Sequence, residues 1–137
     1  MKKSGLVAAA AVLAVCGSVP AAVLAEGGLS DRQVDLYSEM LAMSIACREI
    51  SGIRIRQDEM HDWMTAELAG GPESDVNRVL EMRDTKLTDM QARTAEVNAL
   101  PHGNRRDDAV NEHYASSLQR CMRMSRHSVA GEFFTRP

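Results

Sequence analysis

From Asp31 onward, apolar side chains return every three or four positions, a period that suits α-helices and argues against strands. Leu36, Met40, Met43, Cys47 and Ile50 alternate spacings of four and three, and Val34, Tyr37, Leu41 and Ile45 widen that face. Ser30-Asp31-Arg32-Gln33 has the Ser-x-x-Gln form in which two side chains satisfy each other's free backbone amides, so a helix begins near Asp31. Ser51-Gly52 can end it, with Gly52 in the left-handed position that follows a helix. Ile53 to Leu68 keeps the period through Met60, Trp63, Met64 and Leu68, after an Ile-Arg-Ile-Arg alternation that reads as locally extended. Gly70-Gly71-Pro72 is the strongest break after the leader, and Pro72 with Glu73 and Asp75 suits the positive start of the next helix.

That third helix is expected to run to about Asn98, with Val76, Leu80, Leu87, Met90 and Val97 facing inward. Leu100 to Asn104 forms a loop, and Asn104 is the expected cap of the last helix. There Val110, Tyr114, Leu118, Cys121, Met122 and Val129 form the stripe, which stops near Gly131. The short tail Glu132–Pro137 holds Phe133-Phe134. The reading is all-α: a small bundle of three to four helices, the number turning on whether Gly52 breaks the first segment. Aromatic residues at 4% and nine methionines also argue against a large β-sandwich or barrel.

Residues 1–25 read as a cleaved secretory signal peptide. Lys2 and Lys3 precede a ten-residue apolar core from Leu6 to Val15, Pro20 follows, and Val23-Leu24-Ala25 supplies the small side chains of a cleavage site. The core is shorter than the roughly 20 residues that span a bilayer, so no transmembrane span is expected. Leu13-Ala14-Val15-Cys16 resembles a lipobox, but Val15 stands where such sites want a smaller residue, so cleavage after Ala25 is the preferred reading. It leaves 26–137 as one helical domain, periplasmic or secreted. That domain carries 14 Lys+Arg against 19 Asp+Glu, a net charge of −5, which fits nucleic acid poorly.

Cys16 leaves with the leader, so Cys47 and Cys121 are the only cysteines of the exported part. A pair in an oxidising compartment points to one disulfide. In an up-down bundle with short loops, however, the two would differ in height by about 15 Å. A bridge tolerates Cα separations only to about 7 Å. Either the helices cross, which is the preferred expectation, or the bond joins two chains.

Eight methionines in the exported part create local sets at helical spacing: Met40-x-x-Met43, His61-x-x-Met64 and Met124-x-x-His127. The last two are similar to spacings in periplasmic silver- and copper-binding proteins, which would imply a Cu(I) or Ag(I) site. Met43 and His113 resemble the Met/His pair of b-type haem four-helix bundles. Leu29-Ser30-Asp31-Arg32-Gln33 and Leu87-Thr88-Asp89-Met90-Gln91 look like the paired motif of the Spy/CpxP periplasmic stress chaperones, helical curved dimers. The second copy falls mid-helix and the cysteines depart from that pattern.

The acids Asp58, Glu59, Asp62 and Glu67 crowd one short helix, a pattern that usually marks a solvated face. Nothing in the spacing assembles a nucleophile, a base and an orienting acid. Arg120, Arg123, Arg126 and His127, followed by Phe133-Phe134, suit an acidic partner or anionic lipid, or simply the negative end of a helix. The expectation is therefore an exported, non-catalytic helical protein without a cofactor. It would bind another envelope or secreted protein as an inhibitor, immunity protein, adaptor or chaperone, with homodimerisation an open option. The alternative is a periplasmic bundle that binds Cu/Ag or haem.

Overall fold

The computed structural model describes residues 28–50 and 52–137; the expected signal peptide, with Cys16 and the expected cleavage site, lies outside them. Four α-helices account for most of the described chain: α1 (Asp31–Ala46), α2 (Gln57–Leu68), α3 (Glu73–Asn98) and α4 (Asn104–Arg126). The all-α expectation holds, with four helices.

α1 starts on the expected reciprocal cap: Ser30 Oγ accepts from the Gln33 amide at 3.3 Å, and Gln33 Oε1 accepts from the Ser30 amide at 3.0 Å. It ends at Ala46, earlier than expected, and a 3₁₀ turn (Cys47–Glu49) completes the segment. Gly52, at φ +88°, takes the left-handed conformation expected of it. Gly103 rather than Asn104 precedes α4, which begins at Asn104 itself.

Met40, Met43, Cys47, Met60, Val79, Cys121 and Phe134 are almost fully enclosed, and their side chains form the centre of one core. α2 joins it through Met60 and Met64, with Trp63 standing edge-on to Tyr37 and tilted against Phe133, both at 5.5 Å between ring centroids. Phe133 and Phe134 of the tail, which beside the basic run suited an acidic partner or anionic lipid, are instead buried in the core. β2 (Phe134–Thr135) pairs antiparallel with β1 (Arg54–Ile55), matching Ile55 to Phe134. The Ile-Arg-Ile-Arg alternation is thus extended as read, with Ile53 and Ile55 half-buried and Arg54 and Arg56 exposed.

α1 and α3 run in the same direction, because successive α1 groups meet successive α3 groups. The Leu29 amide donates to Asp75 Oδ2 at 2.7 Å, Asp31 pairs with Arg78 at 2.7 Å, and Asp35 and Glu39 both receive Lys86, at 2.7 and 3.2 Å. Asp75 is buried, also accepts from Arg78, and leaves no room at Gly28, where a Cβ would lie 3.0 Å from its carboxylate. Every buried side-chain N or O among the described residues has a partner.

Cys47 and Cys121 stand at disulfide distance, with Cα atoms 5.8 Å apart. Two features bring them level. α3 is 26 residues long against 16 for α1, so α4 starts beyond the end of α1 and descends towards it. α4 then passes obliquely across α1. Arg120 pairs with Glu39 at 2.9 Å, while the very next residue reaches Cys47, about 12 Å further along the helix rise.

Candidate functional site

α4 was expected to bury one stripe along its whole length, and it does so over only half. Cys121 and Met124 lie in the core, whereas Tyr114 and Val110, about two and three turns before Cys121, are 50% and 40% exposed. Tyr114 and Cys121 are seven residues apart and share a face, so the uncovered part continues the covered one. α3 behaves likewise. Val76, Leu80, Leu87, Met90 and Val97 are half-buried at most, and the position that α1 fully covers is Val79, beside the buried carboxylate of Asp75.

Between Met90 and Leu118 no apolar residue packs against the core. Residues 91–117 therefore form an arm: the end of α3, a loop at Leu100–Gly103, and the first fourteen residues of α4. One side-chain hydrogen bond among the described residues joins its two helices, Thr94 Oγ1 with His113 Nε2 at 3.1 Å, and Arg106 lies on His102 near the tip. The arm offers an exposed apolar strip, Val110 and Tyr114, with half-buried Val97 at the end of α3 and half-buried Leu100 in the loop.

The sequence-level metal sets do not assemble. Met40 and Met43 are core residues, and Met64 and Met124 point inward while His61 and His127 are exposed. His127 Nδ1 accepts from the amides of Val129 and Ala130, at 3.1 and 3.4 Å, and so closes the end of α4. Its Met124 neighbour borders a shallow depression shared with Arg32, Gln33, Asp35, Leu36 and Glu39. Met43 is enclosed in the core and His113 is engaged on the arm, which separates the haem-like pair. Among the described residues, no three His, Cys, Asp or Glu groups converge on a point where a metal ion would sit.

The α2 acids face solvent. Glu59 pairs with Arg56, and Glu67 accepts from the Tyr37 hydroxyl at 3.4 Å. Burial, helped by the negative charge of Glu67, raises the Tyr37 pKa above its ordinary value. Lys86 also titrates above its ordinary value: burial alone would lower it, but hydrogen bonds to Asp35 and Glu39 outweigh that loss of solvation. Both groups tie helices together. The basic run divides: Arg120 is bound to Glu39, while Arg123, Arg126 and His127 are exposed, and the aromatic half of the expected patch, Phe133-Phe134, is inside.

No family model matches the chain, and neither curated proteins nor solved structures gave a match. Among the described residues no helix is long and apolar enough to cross a membrane.

Proposed function

We propose that this is an exported, non-catalytic helical protein that works by binding another envelope or secreted protein. The observation that carries the reading is the half-covered stripe of α4. A helix whose apolar face continues past its own core presents side chains suited to another polypeptide's apolar face. Val110 and Tyr114 would be the anchors, since a tyrosine brings large contact area and a polar tip at small entropic cost. The leader-like features of residues 1–25 support delivery outside the cytoplasm, as a protein beginning at Glu26 and stapled through Cys47 and Cys121.

Two experiments test it. N-terminal sequencing of the exported form should begin at Glu26; a lipid-modified Cys16 would place the protein on a membrane instead. A photo-crosslinking amino acid at position 114 should trap one discrete envelope or secreted protein, and the same group at His61, exposed on α2, should not. Trapping that Val110→Glu leaves undiminished, in a variant with unchanged helicity, would remove the stripe from the account.

A further inference from the structure

The side of α4 turned away from α3 has an order of its own. Asp108, Glu112, Ala115, Gln119, Arg123 and Arg126 follow one another at spacings of four, three, four, four and three, so they share one helix face, and all are exposed. The acids occupy the first half, the arginines the second, and the centre is small and uncharged: Ala115, Ser116 and Gln119. None of the four charged groups takes part in an ion pair or side-chain hydrogen bond among the described residues, whereas Arg120, one position off this face, is bound to Glu39.

Attraction between charged termini and the helix dipole favours Asp108 in the first turns and Arg123 and Arg126 in the last. It does not reach Glu112, in the third turn, nor does it gather these groups on one face. Within a single chain Asp108 and Glu112 are like charges four apart and Arg123 and Arg126 like charges three apart; Arg105, three before Asp108, offsets only the first repulsion.

We infer that this face is built for a second copy of the chain, with two α4 helices crossing antiparallel about a two-fold axis near Ser117. Antiparallel pairing sets Asp108 against the partner's Arg126 and Glu112 against the partner's Arg123. The symmetry repeats both, so four ion pairs form and both like-charge clashes are relieved. Ala115 lies opposite the partner's Gln119, and the small side chains there let the axes approach closely. Arg105 shares the face but lies beyond the paired span.

A helix of 23 residues is about 34 Å long, and one helix-on-helix contact of that length buries on the order of 700 Å² in total. That places the dimer among weak, salt-sensitive associations. The surface is a different side of α4 from Val110 and Tyr114, so a dimer leaves the proposed partner strip open.

Sedimentation velocity of the oxidised protein at low ionic strength should show a reversible dimer, with Kd between about 10 and 500 μM. Asp108→Arg with Glu112→Arg should weaken it tenfold or more, and so should Arg123→Glu with Arg126→Glu. Mixing those two double variants should restore association as a heterodimer, because each then carries the charge the other lacks. Unchanged circular dichroism confirms that the variants are folded. A protein monomeric at all concentrations would overturn the inference, and so would variants that fail to complement when mixed. A dimer indifferent to these charges but abolished by Tyr114→Glu would likewise overturn it, by placing the second copy on the apolar strip.

Discussion

The same two helices, α3 and α4, serve two regions with opposite physics. In the base, next to α1, α2 and the tail, their side chains are enclosed and the contacts are apolar, with a disulfide and the buried Asp75 carboxylate between them. In the arm, residues 91–117, both helices hold up to the loop that joins them although no residue there is buried. Most helical stability in proteins comes from packing an apolar face. The arm therefore borrows its order from the base, being the continuation of helices nucleated there. Stability is concentrated in one region, and surface suited to binding is displayed by the other.

The largest break in that contrast is expected at Phe134, which is fully enclosed. Phe134→Ala should cost about 3–5 kcal/mol and detach the tail from β1, seen as a large drop in the urea midpoint. Cys47→Ser should follow closely, since opening the 74-residue separation removes several kcal/mol and lowers Tm by about 10 °C or more. On non-reducing electrophoresis the parent should run as a compact monomer that slows on reduction.

Asp75→Asn should cost about 1–3 kcal/mol. It weakens the acceptor that holds the Leu29 amide and Arg78, and hydrogen exchange at Leu29 should report the loss directly. Alkaline titration tests the ties around α1. Tyr37 and Lys86 both hold a proton above their ordinary values of 10.0 and 10.5, so the folded state binds more protons than the unfolded chain in that range. Their contribution is complete below about pH 10 and is lost as pH rises through the raised values. Urea midpoints should fall from pH 10 upward, less steeply in Lys86→Met. The smallest effect belongs to the arm. Tyr114→Ala should change stability by no more than about 0.5 kcal/mol, and arm amides should exchange before those of α1. A large loss at Tyr114 would dissolve the distinction between the two regions.

Much of the base was legible in the sequence. Ser30 and Gln33 announced the start of α1, Gly70-Gly71-Pro72 separated α2 from α3, and the two cysteines named their own partners. The pairing of β1 with β2 was not: Ile53 to Arg56 alternates, but Phe134-Thr135 is too short to show a strand and lies about 80 residues away. Nor was the register of α3. Its inward side includes Asp75, held by Arg78 and the Leu29 amide, and Lys86, which Asp35 and Glu39 of α1 neutralise; hydrophobic period gives such positions to the solvent. The arm was misread for a related reason. A stripe reports that a face is apolar, and Val110 and Tyr114 satisfy that as fully as Cys121 does, but where α1 stops is a matter of relative helix length. The self-complementary charge order of α4 was present in the sequence as separate charges, and it became a face only once the helix was placed with that side outward.

The bridge between Cys47 and Cys121 also bears on the order in which the chain assembles. The contacts between α3 and α4 are nearer in sequence, whereas the bridge and the β pair join segments 74 or more residues apart and need long loops to close. Under the proposed export, which removes Cys16 with residues 1–25, one pair of thiols remains and no wrong partner exists within a chain. Oxidation cannot trap a scrambled isomer, and the only error open to it is capture of a neighbouring molecule before the tail has sealed the core. In such a chain disulfide formation would act as a terminal lock, and dilution, which keeps neighbouring thiols apart, would do more for its fidelity than reshuffling.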